Sequence, residues 1–174
     1  MEKTISKIML REHERINEFL EEFSECRNND LNKFMEIFSR FKWNLEKHFF
    51  LEEKAIFNVL EITDGTEVSD IFDLMQEHGD ILKETKKVGK TLSQNSCPDM
   101  TELIEKLQKH AEFEDHFFYP KLDNVLSHQQ KEEIIKRAEE IIRGDVTSFS
   151  KAFIYDIFVK TLQKTILSET LKSF

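Results

Sequence analysis

The chain has 174 residues with a formal net charge of −9, and only four of them are Gly and two are Pro. Turn-forming residues this scarce disfavour an all-β fold, and the acidic balance argues against a nucleic-acid partner, because phosphate binding needs a basic surface. The first sixteen residues lack the apolar core of a signal peptide, and no apolar run is long enough to span a membrane. We therefore expect a cytoplasmic protein with no membrane partner.

Apolar residues recur at helical spacing along the chain and predict an all-α fold. The predicted helices run over about 4–26, 31–62, 69–92, 99–126, 128–144 and 148–171. Asp30 is the predicted N-cap of the second helix, and Pro120 should disturb the fourth. Four long helices joined by short loops predict an up-down-up-down four-helix bundle over residues 1–126.

Residues 127–174 are predicted to form a C-terminal helical extension. Its last helix carries apolar side chains over a wide arc, including Phe149, Phe153, Ile157 and Phe158. A helix this apolar must be covered. It either packs on its own bundle or forms a homodimer interface, and we favour the homodimer.

Each of the first four helices carries a histidine where the helical period predicts an interior position. Two of these helices also carry a glutamate one turn later, in the spacing HxxxE. An isolated ionised carboxylate in a core is costly, so the pattern needs a compensating charge. Two divalent metal ions supply it, because imidazole and carboxylate are ligands for iron, manganese or zinc. The predicted metal ligands are His13, His48, Glu52, His78, His110 and Glu114.

The pattern repeats within the chain. REHERI around His13 matches QEHGDI around His78, and HFFLEEKAIF from His48 matches HAEFEDHFFYP from His110. Each half is a helix with one histidine followed by a helix with HxxxE. Two such halves packed antiparallel would place four histidines and two glutamates around one point.

The combination H…HxxxE…H…HxxxE, over about residues 5–126, resembles the hemerythrin family in its HHE cation-binding form. Tyr119-Pro120 after the second HxxxE is similar to the aromatic-Pro ending of that family. The resemblance implies a non-haem di-iron centre (Fe2+/Fe3+), oxo- or hydroxo-bridged when oxidised. The ferritin-like alternative uses ExxH pairs, three residues apart, and fits this chain less well.

Carried over to this chain, the resemblance implies that one iron is held by His13 and His48. The other is held by His78 and His110, and the glutamates of the two HxxxE motifs bridge both ions. We call these the first and the second histidine pair.

Oxygen-carrying members of the family have a fifth histidine, in an HxxxH pair on the third helix. Here the positions four residues from His78 are Leu74 and Leu82. The site is therefore expected to keep open positions for water, dioxygen, peroxide or nitric oxide. Binding or sensing of dioxygen or a related small ligand ranks first. The alternatives are a di-iron enzyme handling peroxide or nitric oxide, and a protein for iron storage or donation.

Several neighbours of these motifs are expected to face solvent. Glu53 and Asp115 follow the two glutamates and turn about 100° away from them. The others are Glu12, Glu77, His116 and His128, although hydrogen bonding to the site is an alternative for Glu12 and Glu77. The helical period also predicts an interior position for Phe117.

Overall fold

The computed structural model describes residues 3–26, 30–60 and 68–144, and all regular structure in these ranges is helical. This confirms the prediction of an all-α fold. Residues 61–67, which include the connection between the second and third predicted helices, and the last predicted helix lie outside the described residues. In chain order the elements are α1 (Ile5–Cys26), α2 (Leu31–Leu51), π1 (Glu52–Phe57), α3 (Asn58–Leu60), α4 (Val68–Ser93), α5 (Thr101–Phe113), π2 (Glu114–Phe118), α6 (Tyr119–Val125) and α7 (His128–Arg143).

The chain divides into two compact units, Met1–Glu139 and Glu140–Phe174. The first contains every element up to and including most of α7. In the second, the described residues are those at 140–144, where α7 ends. Within the described ranges, no helix is both long and apolar enough to cross a bilayer.

Two aspartates fix where helices begin. The carboxylate of Asp30 accepts hydrogen bonds from two backbone N–H groups at the start of α2, at 3.0 and 3.1 Å, which confirms it as the N-cap. Asp123 of α6 does the same for α1, where it accepts from the N–H groups of Ile5 and Ser6 at 3.0 and 3.1 Å. Asp123 therefore also links α1 to α6.

The core between the helices is rich in phenylalanine. α1 packs against α2 and α6, α2 packs against α4, and α4 packs against α5. Between α1 and α2, the rings of Phe23, Phe34, Phe38 and Phe41 form pairs with centroids 4.9–6.4 Å apart. A Cβ at Gly89 of α4 would lie 3.3 Å from Phe38, so this glycine permits a close approach.

Both HxxxE motifs contain a local feature that the sequence did not predict. At each glutamate the α-helix changes to π-helical hydrogen bonding. The backbone N–H of Asn58 donates to the carbonyl of Glu53, and that of Tyr119 donates to the carbonyl of Glu114, five residues back in each case. A π-turn holds one more residue than an α-turn, so it shifts the face on which every later residue lies.

This shift corrects the prediction for Phe117. Its side chain is 65% exposed, whereas that of Phe118 is only 1% exposed. The interior position has moved one residue along the chain because π2 intervenes. Pro120 lies in the first turn of α6, where a missing N–H costs little. The departure from α-helical hydrogen bonding in this part of the chain is π2, which ends at Phe118, before the α6 turn that contains Pro120.

Candidate metal centre

Four helices bring six polar side chains into one buried group, which we call the His–Glu cluster. One histidine comes from each of α1, α2, α4 and α5, and the two glutamates open π1 and π2. None of the six is more than 5% exposed. All six residues selected from the sequence are brought together: His13, His48, Glu52, His78, His110 and Glu114.

The cluster contains two overlapping groups of candidate ligands. Within each group, one nitrogen or oxygen atom from every member lies within 4.8 Å of the others. Glu114 belongs to both groups. The groups are Glu52, His78, His110 and Glu114, and His13, His48 and Glu114.

Each glutamate faces histidines of both pairs. Oε2 of Glu114 lies 3.3 Å from Nε2 of His13 and 3.3 Å from Nε2 of His110. Oε2 of Glu52 lies 3.5 Å from Nε2 of the histidine in its own motif and 3.1 Å from Nε2 of the α4 histidine. The two carboxylates thus lie between the first and the second histidine pair.

The inward-facing atoms of the cluster fit a metal ion. Nε2 of His78 and of His110, Oε2 of Glu52 and both carboxylate oxygens of Glu114 are buried, and none of their contacts has the geometry of a hydrogen bond. Such atoms cost about 1–3 kcal/mol each when nothing compensates them. Two nitrogens bound about 2.1 Å from one ion at right angles lie about 3 Å apart. The 3.1 Å between Nε2 of His13 and Nε2 of His48 matches that spacing.

The outer nitrogens of three cluster histidines contact carboxylates. An ionised carboxylate can only accept, so the Nδ1 atoms donate, which in a neutral ring leaves the Nε2 lone pair for a metal. The contacts are His13 Nδ1 to Asp115 Oδ1 at 2.8 Å, His110 Nδ1 to Glu77 Oε2 at 2.8 Å, and His78 Nδ1 to Glu53 Oε1 at 3.4 Å.

These contacts correct the expectation that Glu53, Glu77 and Asp115 only face solvent. Glu53 and Asp115 lie in the π-segments and reach across to a histidine of a neighbouring helix, and their side chains are only 12% and 21% exposed. Glu77 is 43% exposed and still bonds His110. Glu12 was also wrongly expected to face solvent: it is buried, and it pairs with Arg15.

The two remaining histidines lie on the surface, as expected. His116 is exposed, and its Nδ1 contacts the carbonyl of Glu112 at 3.0 Å. The side chain of His128, at the start of α7, is 87% exposed. Neither belongs to the candidate ligand groups among the described residues.

Burial and neighbouring charges have opposite effects on the pKa values of the cluster histidines. Burial lowers the pKa of His48 to about 3. Burial also lowers the pKa of His13, but the carboxylates of Asp115 and Glu114 outweigh it and raise that pKa to about 10. Burial, together with the charge of Glu52, raises the pKa of Glu114 to about 7. Opposed shifts of this kind are typical of functional sites.

Sequence reasoning missed two aromatic contacts of the cluster. Tyr119 is fully buried, and its hydroxyl donates a hydrogen bond to Oε1 of Glu52. The ring of Phe49 stacks on that of His78, with centroids 3.9 Å apart and planes inclined by 13°. The sequence marked Tyr119 only as part of an ending motif, and nothing distinguished Phe49 from the other core phenylalanines.

The Hemerythrin HHE cation binding domain matches residues 4–122 of the chain. No curated protein and no solved structure matches the chain. The matched region contains the whole His–Glu cluster and both π-segments. The chain is therefore a member of the hemerythrin family, with an HHE cation-binding domain that covers most of its length.

Proposed function

We propose that this protein is a non-haem di-iron protein that binds or senses dioxygen or a related small ligand. The observation that carries the proposal is that each cluster glutamate faces histidines of both pairs, with inward oxygens that lack hydrogen-bond partners. One ion is then held by His13 and His48, the other by His78 and His110, and both glutamates are shared. When bound, such a metal pair supplies Lewis acidity and redox chemistry.

In this proposal the helical segments of residues 5–125 form an up-down-up-down four-helix bundle, and residues 127–174 form an extension. The contacts α1–α2, α2–α4, α4–α5 and α1–α6 make a closed ring of neighbours. Segments joined by short connections are usually antiparallel. The arrangement accounts for the contribution of one histidine from each segment.

The ligand set leaves room for an exogenous ligand. Two imidazoles and two shared carboxylates would give each ion four protein donors, fewer than the six ligands of an octahedral site. The positions that would carry a fifth histidine are Leu74 and Leu82, and Leu74 is buried in the core. Both ions therefore keep exchangeable positions.

Access to the cluster favours a very small ligand. A cavity of about 20 Å³ lies beside the cluster and is lined by His13, His48, His110 and apolar residues that include Leu45 and Phe49. A cavity needs at least about 10–15 Å³ to hold one water molecule. The space is large enough for a ligand of about the size of a water molecule.

The enzymatic alternative, with peroxide or nitric oxide as substrate, has one feature in its favour, which is a titratable phenol at the edge of the cluster. Tyr119 is buried, and its hydroxyl donates a hydrogen bond to Glu52. Tyrosine is among the side chains that carry protons in general acid–base catalysis. An iron storage or donation role has no comparable observation in its favour.

Rapid mixing of the iron(II)-loaded protein with dissolved oxygen tests the proposal. We expect a fast change in absorption that does not reverse under argon, and azide should then alter the spectrum. A long-lived change that reverses under argon would instead indicate an oxygen carrier. Catalytic consumption of added peroxide would favour the enzyme. His116→Ala is the control, because His116 lies outside the cluster and should leave the kinetics unchanged.

A further inference from the structure

The internal repeat allows the two halves of the cluster to be compared residue by residue. His13 corresponds to His78, and the residues after the two cluster glutamates, Glu53 and Asp115, also correspond. Both of these correspondences are matched by contacts, because Asp115 bonds His13 at 2.8 Å and Glu53 bonds His78 at 3.4 Å. In these two contacts, a carboxylate from each half of the repeat bonds the histidine of the other half.

The remaining pair of contacts is not symmetric. Glu77, which precedes His78, lies 2.8 Å from Nδ1 of His110. The corresponding residue is Glu12, and the corresponding contact would be with Nδ1 of His48. That nitrogen is buried without a hydrogen-bond partner, although Glu12 is itself only 5% exposed.

The sequence offers a reason for the difference. Glu12 forms an ion pair with Arg15, one helical turn further on. The residue that corresponds to Arg15 in the second half is Asp80, three positions after Glu77. Arg15 attracts Glu12 along the same helix, whereas Asp80 repels Glu77. Glu77 is therefore available to His110, and Glu12 is held away from His48.

We propose that the two metal positions are unequal, with the ion at His13 and His48 bound more weakly than the ion at His78 and His110. The inference rests on the proposed two-metal function. A carboxylate on the outer nitrogen fixes the ring and makes it a stronger donor, and loss of such a partner costs about 10- to 100-fold in metal affinity. Within the first pair only His13 has this support, whereas both members of the second pair have it.

The position of the cavity beside the cluster also distinguishes the two histidine pairs. It is lined by both histidines of the first pair but by only His110 of the second. The cavity therefore lies beside the position that we infer to bind metal more weakly.

Calorimetric titration of the metal-free, full-length protein with Co²⁺ provides the test. Wild type should bind two ions in two resolved steps. Glu77→Gln should weaken the tighter step by about 10- to 100-fold, whereas the repeat-equivalent change Glu12→Gln should leave both steps unchanged. Thermal melting of each metal-free variant checks that the fold persists.

A second variant reverses the charge at Arg15. Arg15→Asp introduces the residue that the second half has at the equivalent position, so Glu12 loses its ion pair and becomes available to His48. The Co²⁺ affinity of the weaker step should then rise by about tenfold or more. Adding Glu12→Gln to Arg15→Asp should abolish the gain. A general effect of the added negative charge would survive in that double variant.

Equal losses of Co²⁺ affinity in Glu12→Gln and Glu77→Gln would overturn the inference that the two positions differ. A loss of affinity confined to the weaker step in Glu77→Gln would overturn it as well. A gain in Arg15→Asp that persists without Glu12 would also overturn it. Failure of wild type to bind two ions would instead refute the proposed function. The two claims can therefore fail separately.

Discussion

The hydroxyl of Tyr119 donates a hydrogen bond to Oε1 of Glu52, which lies 67 positions earlier in the chain. Both side chains are fully buried. The repeat-equivalent of Tyr119 is Phe57, so the cluster has a phenol beside one glutamate and a phenyl ring at the matching position of the other half. Oε2 of Glu52, which faces His48 and His78, has no hydrogen-bond partner.

Tyr119→Phe should therefore loosen Glu52 without opening a cavity. A hydrogen bond to a charged group contributes about 1.5–3 kcal/mol, so the free energy of unfolding of the metal-free protein should fall by about that amount. Burial and the neighbouring carboxylates raise the pKa of Tyr119, so its phenol remains a donor. Urea denaturation measures the effect. An unchanged free energy of unfolding would contradict a stabilising role for this hydrogen bond.

Loss of cluster residues should lower metal content, whereas loss of a surface histidine should not. His48→Ala and Glu114→Ala each remove a buried donor atom, and His116→Ala removes only an exposed ring. Metal analysis after anaerobic iron loading measures the difference. The depleted variants should also lose the rise in melting temperature that metal gives wild type, because an ion bound only by the folded state stabilises it. Equal metal loss in His116→Ala would contradict the ligand assignment.

The sequence predicted the six cluster residues because their positions depend only on helical spacing within single helices. His110 and Glu114, for example, lie one turn apart in any α-helix. It did not predict that Glu53 and Asp115 turn inwards or that Phe117 turns outwards. Those positions depend on the π-segments, which appear where the cluster glutamates are buried between neighbouring helices. Local spacing contains no signal for that tertiary requirement.

Asp123 should contribute measurably to stability through its cap on α1. Removing an N-cap carboxylate typically costs about 0.5–2 kcal/mol, so Asp123→Ala should lower the free energy of unfolding by about that amount. The matched control is Asp70→Ala, which removes a partly exposed ion pair with Lys121. Exposed pairs contribute about 0–1 kcal/mol. Denaturation curves should rank Asp123→Ala as the more destabilised, and the reverse order would contradict the capping role.

The C-terminal segment is predicted to mediate self-association, because its apolar arc must be covered. Full-length protein should then be a dimer by analytical ultracentrifugation, and truncation after Gly144 should give a soluble monomer. A full-length chain that stays monomeric at high micromolar concentration would show that the segment is covered within its own chain.

The proposed function requires the His–Glu cluster to hold two iron ions. Iron content per folded chain, measured after anaerobic loading of metal-free protein with Fe²⁺ and removal of excess metal, tests it most directly. Wild type should contain two iron ions per chain, and His48→Ala should contain fewer. One ion or none in wild type would contradict the proposed function, because the cluster would then be either a single-metal site or a buried polar core.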